Sequence, residues 1–314
     1  MRTRAFWTIA PGRGALRETA LPPPAPGELR ITARASGISR GTEATVFAGR
    51  VPPSQFETMR APLMAGSFPF PVKYGYSVVG NTDSGARVFV LHPHQRAFNA
   101  PAAMCIPVPP DIPDHRATLA ANMETALNIV WDASPLPGER IAVIGAGVVG
   151  LLTAWLLARI PATDVTVVDV EPARAALAHA FGCAFALPEA APPERELIIH
   201  ASGSEAGLRQ ALASAAFEAR IIEASWFGDR APALPLGEAF HARRLRLIAS
   251  QVGAVAPAMR GRRSHGERLA MALALLAAPE LDLLLDQVVR FADLPDRMPG
   301  LLAGGLCHVV SYED

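Results

Sequence analysis

Ile141-Ala-Val-Ile-Gly145-Ala-Gly147-Val-Val-Gly150 opens as an apolar run of strand length, turns at two glycines and continues into the apolar stretch Leu151 to Ile160. This pattern reads as strand, tight turn and helix. Gly145 permits the turn, Gly147 lets the backbone come close to a pyrophosphate, and Gly150 lets the helix pack on the strand. Val148 and Val149 begin that helix, whose N-terminal N–H groups and dipole attract an anion. Nineteen residues after Gly150, Asp169 closes a second strand, Val165-Thr-Val-Val-Asp169. A carboxylate there suits a ribose diol and repels a 2′-phosphate, so the motif predicts a dinucleotide site preferring NAD(H) to NADP(H). Arg174 is a further cofactor candidate, able to reach a 2′-phosphate, with a solvated helix arginine as its other account.

Ile141 to Ile160 is also nearly uncharged and about as long as a membrane span. Its three glycines, the flanking Glu139-Arg140 and Arg159, and the strand that follows favour a buried βαβ unit instead. The 314 residues exceed one ordinary domain and half are hydrophobic, enough for two lobes with cores of their own. With 29 basic against 29 acidic residues, the charge balance points to neither nucleic acid nor an anionic membrane as partner. Met1 to Trp7 shows no apolar signal core, so a cytoplasmic location is expected. Cys105, Cys183 and Cys307 form no CxxC pair, which indicates neither a disulfide framework nor a cysteine-rich zinc lobe.

The texture changes near residue 120. Sixteen of the 29 prolines precede Leu119, and β-like runs such as Leu29 to Ala35, Ser77 to Gly80 and Arg87 to Leu91 lie among them. That suits an irregular β-rich lobe over residues 1–121. From residue 122 to 253 strands and helices alternate, which predicts an α/β fold with a doubly wound parallel sheet. Residues 254–314, with a helical run, a strand, a helix and a final strand Cys307 to Tyr312, are expected to return to the first lobe.

Ala35-Ser-Gly-Ile-Ser-Arg-Gly-Thr-Glu43, Gly75-Tyr-Ser-Val-Val-Gly80, Arg87-Val-Phe-Val90, the glycine motif and Ala201-Ser-Gly203 together resemble the medium-chain dehydrogenase/reductase superfamily, to which the zinc alcohol dehydrogenases belong. The resemblance runs over nearly the whole chain. It implies a GroES-like β lobe and a Rossmann domain, with substrate meeting nicotinamide between them, and pairing of two copies through the Rossmann sheet edge is common among such proteins. Where the family places its catalytic zinc ligands, this chain has Ser39, Tyr76 and Ser77, with a further position near Ala121 and Asn122. Neutral hydroxyls are poor zinc ligands beside thiolate, imidazole and carboxylate, so no metal is expected. His92 and His94, one residue apart on an extended segment, could face the same way and share an ion, but no Cys, Asp or Glu is near them in sequence. They are expected to serve the substrate pocket.

Without zinc, hydride transfer at a carbonyl needs hydroxyl or ammonium groups to stabilise the alkoxide and supply its proton. Lys73-Tyr-Gly-Tyr-Ser77 holds the only lysine among the 29 basic residues. Tyr76 is the candidate acid/base, with Lys73 and Ser39 as electrostatic and hydrogen-bonding support; packing of the lobe is the other account of Tyr74 and Tyr76. Tyr74, Asn122 and Glu124 are candidate pocket residues, although an ion pair to an arginine explains Glu124 equally well. Arg40, beside Ser39, matches a family position that reaches cofactor phosphate. Ser202 belongs to the Ala201 motif, and Trp226 follows a Rossmann strand at its carboxyl edge, where such sheets bind ligands.

The Gly-Ile-Ser-x-Gly-Thr-Glu and Gly-Tyr motifs are similar to those of bacteriochlorophyllide hydroxyethyl dehydrogenases, which keep a glutamate where Ser77 stands. The expected activity is therefore a zinc-independent, NAD-dependent interconversion of a secondary alcohol and ketone on a specialised small-molecule metabolite. A quinone or enone reductase, and a non-catalytic NAD(H)-binding sensor or subunit, are the alternatives.

Overall fold

Before the glycine motif the chain is mostly strand in the computed structural model, which describes residues 1–313. A hairpin of β1 (Arg2–Ala10) and β2 (Arg13–Ala20) comes first, then β3 (Glu28–Ile38) and helix α1 (Arg40–Phe47). Short strands follow: β4 (Ala65–Gly66), β5 (Val72–Lys73), β6 (Val78–Thr82), β7 (Arg87–Val90), β8 (Ala97–Pro101) and β9 (Ile106–Pro107). Helices α2 (Asp114–Ala117) and α3 (Ala120–Ala133) lead into an alternating series. It runs β10 (Arg140–Ile144), α4 (Val148–Leu157), β11 (Asp164–Val168), α5 (Ala175–Ala180), β12 (Ala184–Ala186) and β13 (Arg195–His200). After these come α6 (Glu205–Ser214), β14 (Ala215–Glu223), β15 (Arg246–Ala249) and α7 (His265–Leu275). The chain closes with β16 (Leu285–Arg290), α8 (Leu294–Ala303) and β17 (Cys307–Ser311).

The chain divides into two units, one formed by Met1–Ala121 with the chain from Leu269 onward, the other by Asn122–Arg268. In the first, β17 lies between parallel β16 and antiparallel β3, and the sheet continues through β6, β7 and β9, with β8 also pairing with β3. A second sheet has the order β2-β1-β5-β4. Prolines are frequent here and favour short strands and turns, although α8 accommodates Pro299. Ile31, Val78, Val90, Phe98, Phe291, Leu294 and Val310 pack in one core between the larger sheet and α8.

The second unit is a six-stranded parallel sheet of order β12-β11-β10-β13-β14-β15. Strand order reverses between β10 and β13, the switch point at whose carboxyl ends doubly wound sheets bind nucleotides. Ile144, Ile198, Leu208, Leu212 and Ile221 belong to its core, with α6 packed on β13 and β14. The Ile141 to Ile160 run is a five-residue strand, a turn and a ten-residue helix. No helix of the described residues is long and apolar enough to cross a membrane.

Residues 251–268 belong to the second unit, so the return to the first lobe falls later than residue 254. The reason is Arg268, only 1% exposed, which holds this segment down. Its guanidinium donates to Glu124 Oε1 at 3.0 Å, to Asn128 Oδ1 at 2.6 Å and to the carbonyls of Val252 and Ala254. A buried charge is tolerable only when so fully paired, and removing one partner strands the other. Arg268→Met should lower stability by about 3–5 kcal/mol, and adding Glu124→Gln should recover part of that loss. Urea unfolding of the two variants and the parent checks this.

Candidate functional site

In the second unit the turn after β10 is built by glycines. Gly145 has φ +111°, and a Cβ placed on it would meet the Ser202 nitrogen at 2.7 Å. A Cβ on Gly150 would lie 1.9 Å from the Gly145 carbonyl oxygen, so α4 and the turn touch backbone to backbone. Gly147, by contrast, faces open space: no heavy atom lies within 4 Å of its missing Cβ. It is the N-cap of α4 and supplies no side-chain cap, which leaves the first-turn N–H groups to an outside acceptor. Val148 and Val149 are the first residues of that turn. These are the properties of a cradle for an anion such as pyrophosphate.

Asp169 follows β11 beside this turn. Its Oδ2 accepts the Ala146 N–H at 2.6 Å and its Oδ1 accepts the Glu171 N–H at 2.9 Å. The carboxylate is thereby fixed against the glycine loop, and a carboxylate retains lone pairs for two ribose hydroxyls beyond these bonds. Arg174 lies at the start of α5, half-buried, and Trp226 is half-buried just past β14. Ser202 is exposed two residues past β13, and its hydroxyl lies 2.7 Å from His200 Nε2. His200 and Glu223 are polar groups of this edge that the sequence reading passed over.

In the first unit a connected set of polar groups is buried between β3, α1 and the segment after β7. His94, with no exposed surface, sits between Glu43 Oε2 (Nε2, 3.0 Å) and Ser36 Oγ (Nδ1, 2.7 Å). Ser36 Oγ lies 2.9 Å from the Tyr312 hydroxyl, and Glu43 Oε1 accepts the Ser39 N–H at 2.8 Å. With Glu43 as acceptor, the donors run one way, from Tyr312 to Ser36 to His94 to Glu43. Tyr76 sits at the rim of this set, half-buried, hydrogen bonded to the hydroxyls of Ser39 and Thr42. Burial, reinforced by the Glu43 charge, pushes its phenol up to about 12. Tyr74 packs edge-on against Tyr76 at 5.9 Å and against Phe68 at 5.8 Å, and its burial raises it well above the usual phenol range.

Several expected groupings do not form. Lys73 is buried and donates to Gln95 Oε1 at 2.6 Å, so its ammonium is spent on Gln95 rather than on the Tyr76 hydroxyl. His92 does not share a site with His94: its ring stacks on Phe98 at 3.6 Å and its Nδ1–H donates to the Pro93 carbonyl. Burial, and then the Lys73 charge, hold His92 well below the usual imidazole range, so it is a neutral packing group. Glu124 is buried and pairs with Arg268, the ion pair expected as its other account. Asn122 is buried at the start of the second unit, and Arg40 is half-buried at the first turn of α1. Ser77, at the place of a family zinc ligand, is 2% exposed and donates its hydroxyl to the Thr118 carbonyl. Among the described residues no three His, Cys, Asp or Glu side chains converge as metal ligands.

No family model matches the chain. An L-threonine 3-dehydrogenase of Rhizobium rhizogenes is 35% identical over 82 residues, 26% of this chain and 24% of that one. An uncharacterized zinc-type alcohol dehydrogenase-like protein of Haemophilus influenzae is 25% identical over 169 residues, covering 47% of this chain and 48% of its own. The matched segments thus span a quarter to a half of these relatives. Solved structures align over the full length. L-idonate 5-dehydrogenase of Escherichia coli superposes with a TM-score of 0.80 at 14% identity, covering 99% of both chains. An enzyme of Escherichia coli CFT073 described as a short chain alcohol dehydrogenase, complexed with NADH, gives 0.79 at 16% identity and 99% coverage of each chain. A Sinorhizobium meliloti 1021 protein bound to NADP gives 0.78 at 17%, again with 99% of each chain covered.

Burial lowers the Lys73 pKa to about 8. Between about pH 8 and the unfolded lysine value near 10.5 the unfolded chain binds the extra proton, so native stability rises with pH across that window. The stability difference between the parent and Lys73→Met should therefore shift in favour of the parent from pH 8 to 10, measured as paired urea midpoints. A difference independent of pH would place that ammonium in water.

Proposed function

We propose that this chain, which has the fold of the medium-chain dehydrogenase/reductase superfamily, is a nicotinamide-dependent oxidoreductase that interconverts a secondary alcohol and a ketone. The observation that carries this reading is the glycine cradle with Asp169 pinned beside it. Two backbone contacts closer than any Cβ allows, an open helix N-terminus and an adjacent fixed carboxylate together suit a pyrophosphate followed by an unphosphorylated ribose. The cofactor we assign is NAD(H). When bound it supplies or accepts the hydride. Gly145, Gly147, Val148, Val149 and Gly150 would hold its pyrophosphate, Asp169 its adenosine ribose, with Arg174, Arg40, Ser202 and Trp226 as further contacts.

The chemistry of the available donors does not fit a catalytic zinc. At the family's ligand positions stand Ser39, Tyr76 and Ser77, and the Ser77 hydroxyl is turned to the Thr118 carbonyl. Thiolate, imidazole and carboxylate are what that ion requires, and hydroxyls do not replace them. We therefore assign polarisation of the reacting oxygen to the Tyr76 hydroxyl, supported by Ser39 and Thr42. A phenol raised to about 12 stays protonated across the ordinary pH range, so it is a standing donor to a carbonyl oxygen and a poor base toward an alcohol. The direction this favours is reduction of the ketone by NADH. A specialised secondary-alcohol metabolite is our substrate class, and the hydroxyls of Ser39 and Tyr76 are its anchors.

Tyr76→Phe should slow the chemical step by about a hundredfold in single-turnover NADH oxidation, and an unimpaired variant would remove Tyr76 from the mechanism. The pH profiles should differ by direction. Ketone reduction should show no phenol-linked decline up to about pH 10, whereas alcohol oxidation by NAD should climb about tenfold per pH unit over the same alkaline range. A bell centred near neutrality in both directions would identify another acid. Asp169→Ala should narrow the preference for NADH over NADPH in fluorescence titrations, and an unchanged ratio would contradict its assigned place at the ribose. Assays of the parent with NADH against ketones, enones and quinones separate this activity from the reductase readings.

A further inference from the structure

The amino-terminal hairpin of the first unit carries a groove that the proposed reaction does not use. It has a volume of about 330 Å³ and is lined by Arg2, Thr3, Arg4, Glu18 and Arg96. Three guanidiniums therefore share it with one carboxylate. Residues two apart on a strand share a face, so Arg2 and Arg4 stand on the exposed side of β1 while Thr3 and Ala5 turn inward. The backbone beneath them is held from both sides. Arg96 N–H donates to the Arg4 carbonyl at 3.0 Å, the Arg96 carbonyl accepts the Ala33 N–H at 2.8 Å, and the Thr3 hydroxyl accepts the Ala97 N–H at 3.0 Å.

The pairing of the charges is uneven. Glu18 stands directly across from Arg4 in the β1–β2 register, where opposite charges stabilise a hairpin by pairing. Its carboxylate turns instead along the diagonal to Arg2, with Oε2 2.7 Å from Nη2. Arg4 is left with no acidic partner among the described residues. Arg96 is half-buried and anchored, its guanidinium over the Phe291 ring at 5.9 Å and its Nη1 3.5 Å from the Tyr312 carbonyl. The groove thus combines an arginine already paired with glutamate, an anchored arginine, and between them on the strand face an arginine whose charge nothing answers.

Guanidinium forks recognise the oxygens of carboxylates and phosphates. A planar carboxylate offers two oxygens to a single fork, whereas a phosphate offers three in a tetrahedral array, which forks reaching in from separate strands can share. The volume lies at the small end of the range of ligand pockets, about 300–1,000 Å³, and leaves room for the organic part of a small ester. We propose that this groove binds a phosphate dianion, free or as the monoester of a small metabolite, with Arg4 as its main contact and Arg2 and Arg96 beside it. The site belongs to the first unit and the glycine cradle to the second, so the two are separate anion sites. A ligand on Arg4 and Arg96 ties β1 to the segment that carries His94.

Calorimetric titration of the full chain with inorganic phosphate and with glycerol 3-phosphate, at about pH 8 where a phosphomonoester is a dianion and at an ionic strength fixed with chloride, tests this. Arg4→Gln should weaken both ligands about tenfold, the worth of a charge-assisted hydrogen bond. Arg4→Lys, which keeps the charge without the fork, should lose less. Glu18→Gln, which removes the competing negative charge and releases Arg2, should tighten both about fivefold. Opposite changes in two exposed side chains do not arise from loss of the fold, and phosphate held at the glycine cradle would respond to neither substitution. Tighter binding of glycerol 3-phosphate than of phosphate would identify an ester as the occupant, and equal or weaker binding would identify the free ion. Absence of phosphate binding by the parent, or an affinity that either Arg4→Gln or Glu18→Gln leaves unchanged, would overturn the proposal.

Discussion

The backbone contact between Gly150 and Gly145 is the constraint on which the second unit's edge depends. A side chain at Gly150 would have to occupy the Gly145 carbonyl oxygen, 1.9 Å away. Because it is absent, α4 leaves β10 by the shortest turn and aims its N-terminus across the carboxyl edge of the sheet. That geometry places Asp169 within reach of the Ala146 N–H and sets Ser202 against Gly145 from the other side. Three neighbouring strands thus present a carboxylate, a set of helix N–H groups and an exposed hydroxyl in sequence.

The first unit solves a different problem. Its strands bury Glu43, His94, Ser36 and Tyr312, groups that cost several kcal/mol each if left unpaired in a protein interior. They are tolerated because each satisfies the next, and the chain of bonds holds the N-terminal end of α1 where Ser39 meets Glu43. The Tyr76 hydroxyl is hydrogen bonded to those of Ser39 and Thr42 beside this set. Protein dipoles held rigidly in this way need no reorganisation when charge develops on a reacting oxygen.

The glycine motif, β10, α4 and Asp169 were legible in the sequence because each lies in one continuous segment with a clear period. The parallel sheet followed from strand–helix alternation for the same reason. The relays were not legible. Glu43 and His94 are 51 residues apart, Ser36 and Tyr312 are 276 apart, and only the pairing of β17 with β3 brings the latter two together. Lys73 misled for a related cause: its nearness to Tyr76 in sequence suggested a partnership, but β5 turns the ammonium to Gln95, 22 residues away. The separate surroundings of His92 and His94 were not legible either, since the residues around Pro93 do not continue a strand and the rings diverge to Phe98 and Glu43. The β1–β2 hairpin escaped notice because arginines alternate with its buried positions and mask the strand pattern.

Stopped-flow transfer of hydride from NADH to a ketone, with the protein first treated with a strong chelator and then given zinc, tests the central claim most directly. Protein hydroxyls acting on the reacting oxygen predict a transfer rate that chelation leaves intact and zinc does not raise. A rate abolished by the chelator and restored by stoichiometric zinc would contradict that account.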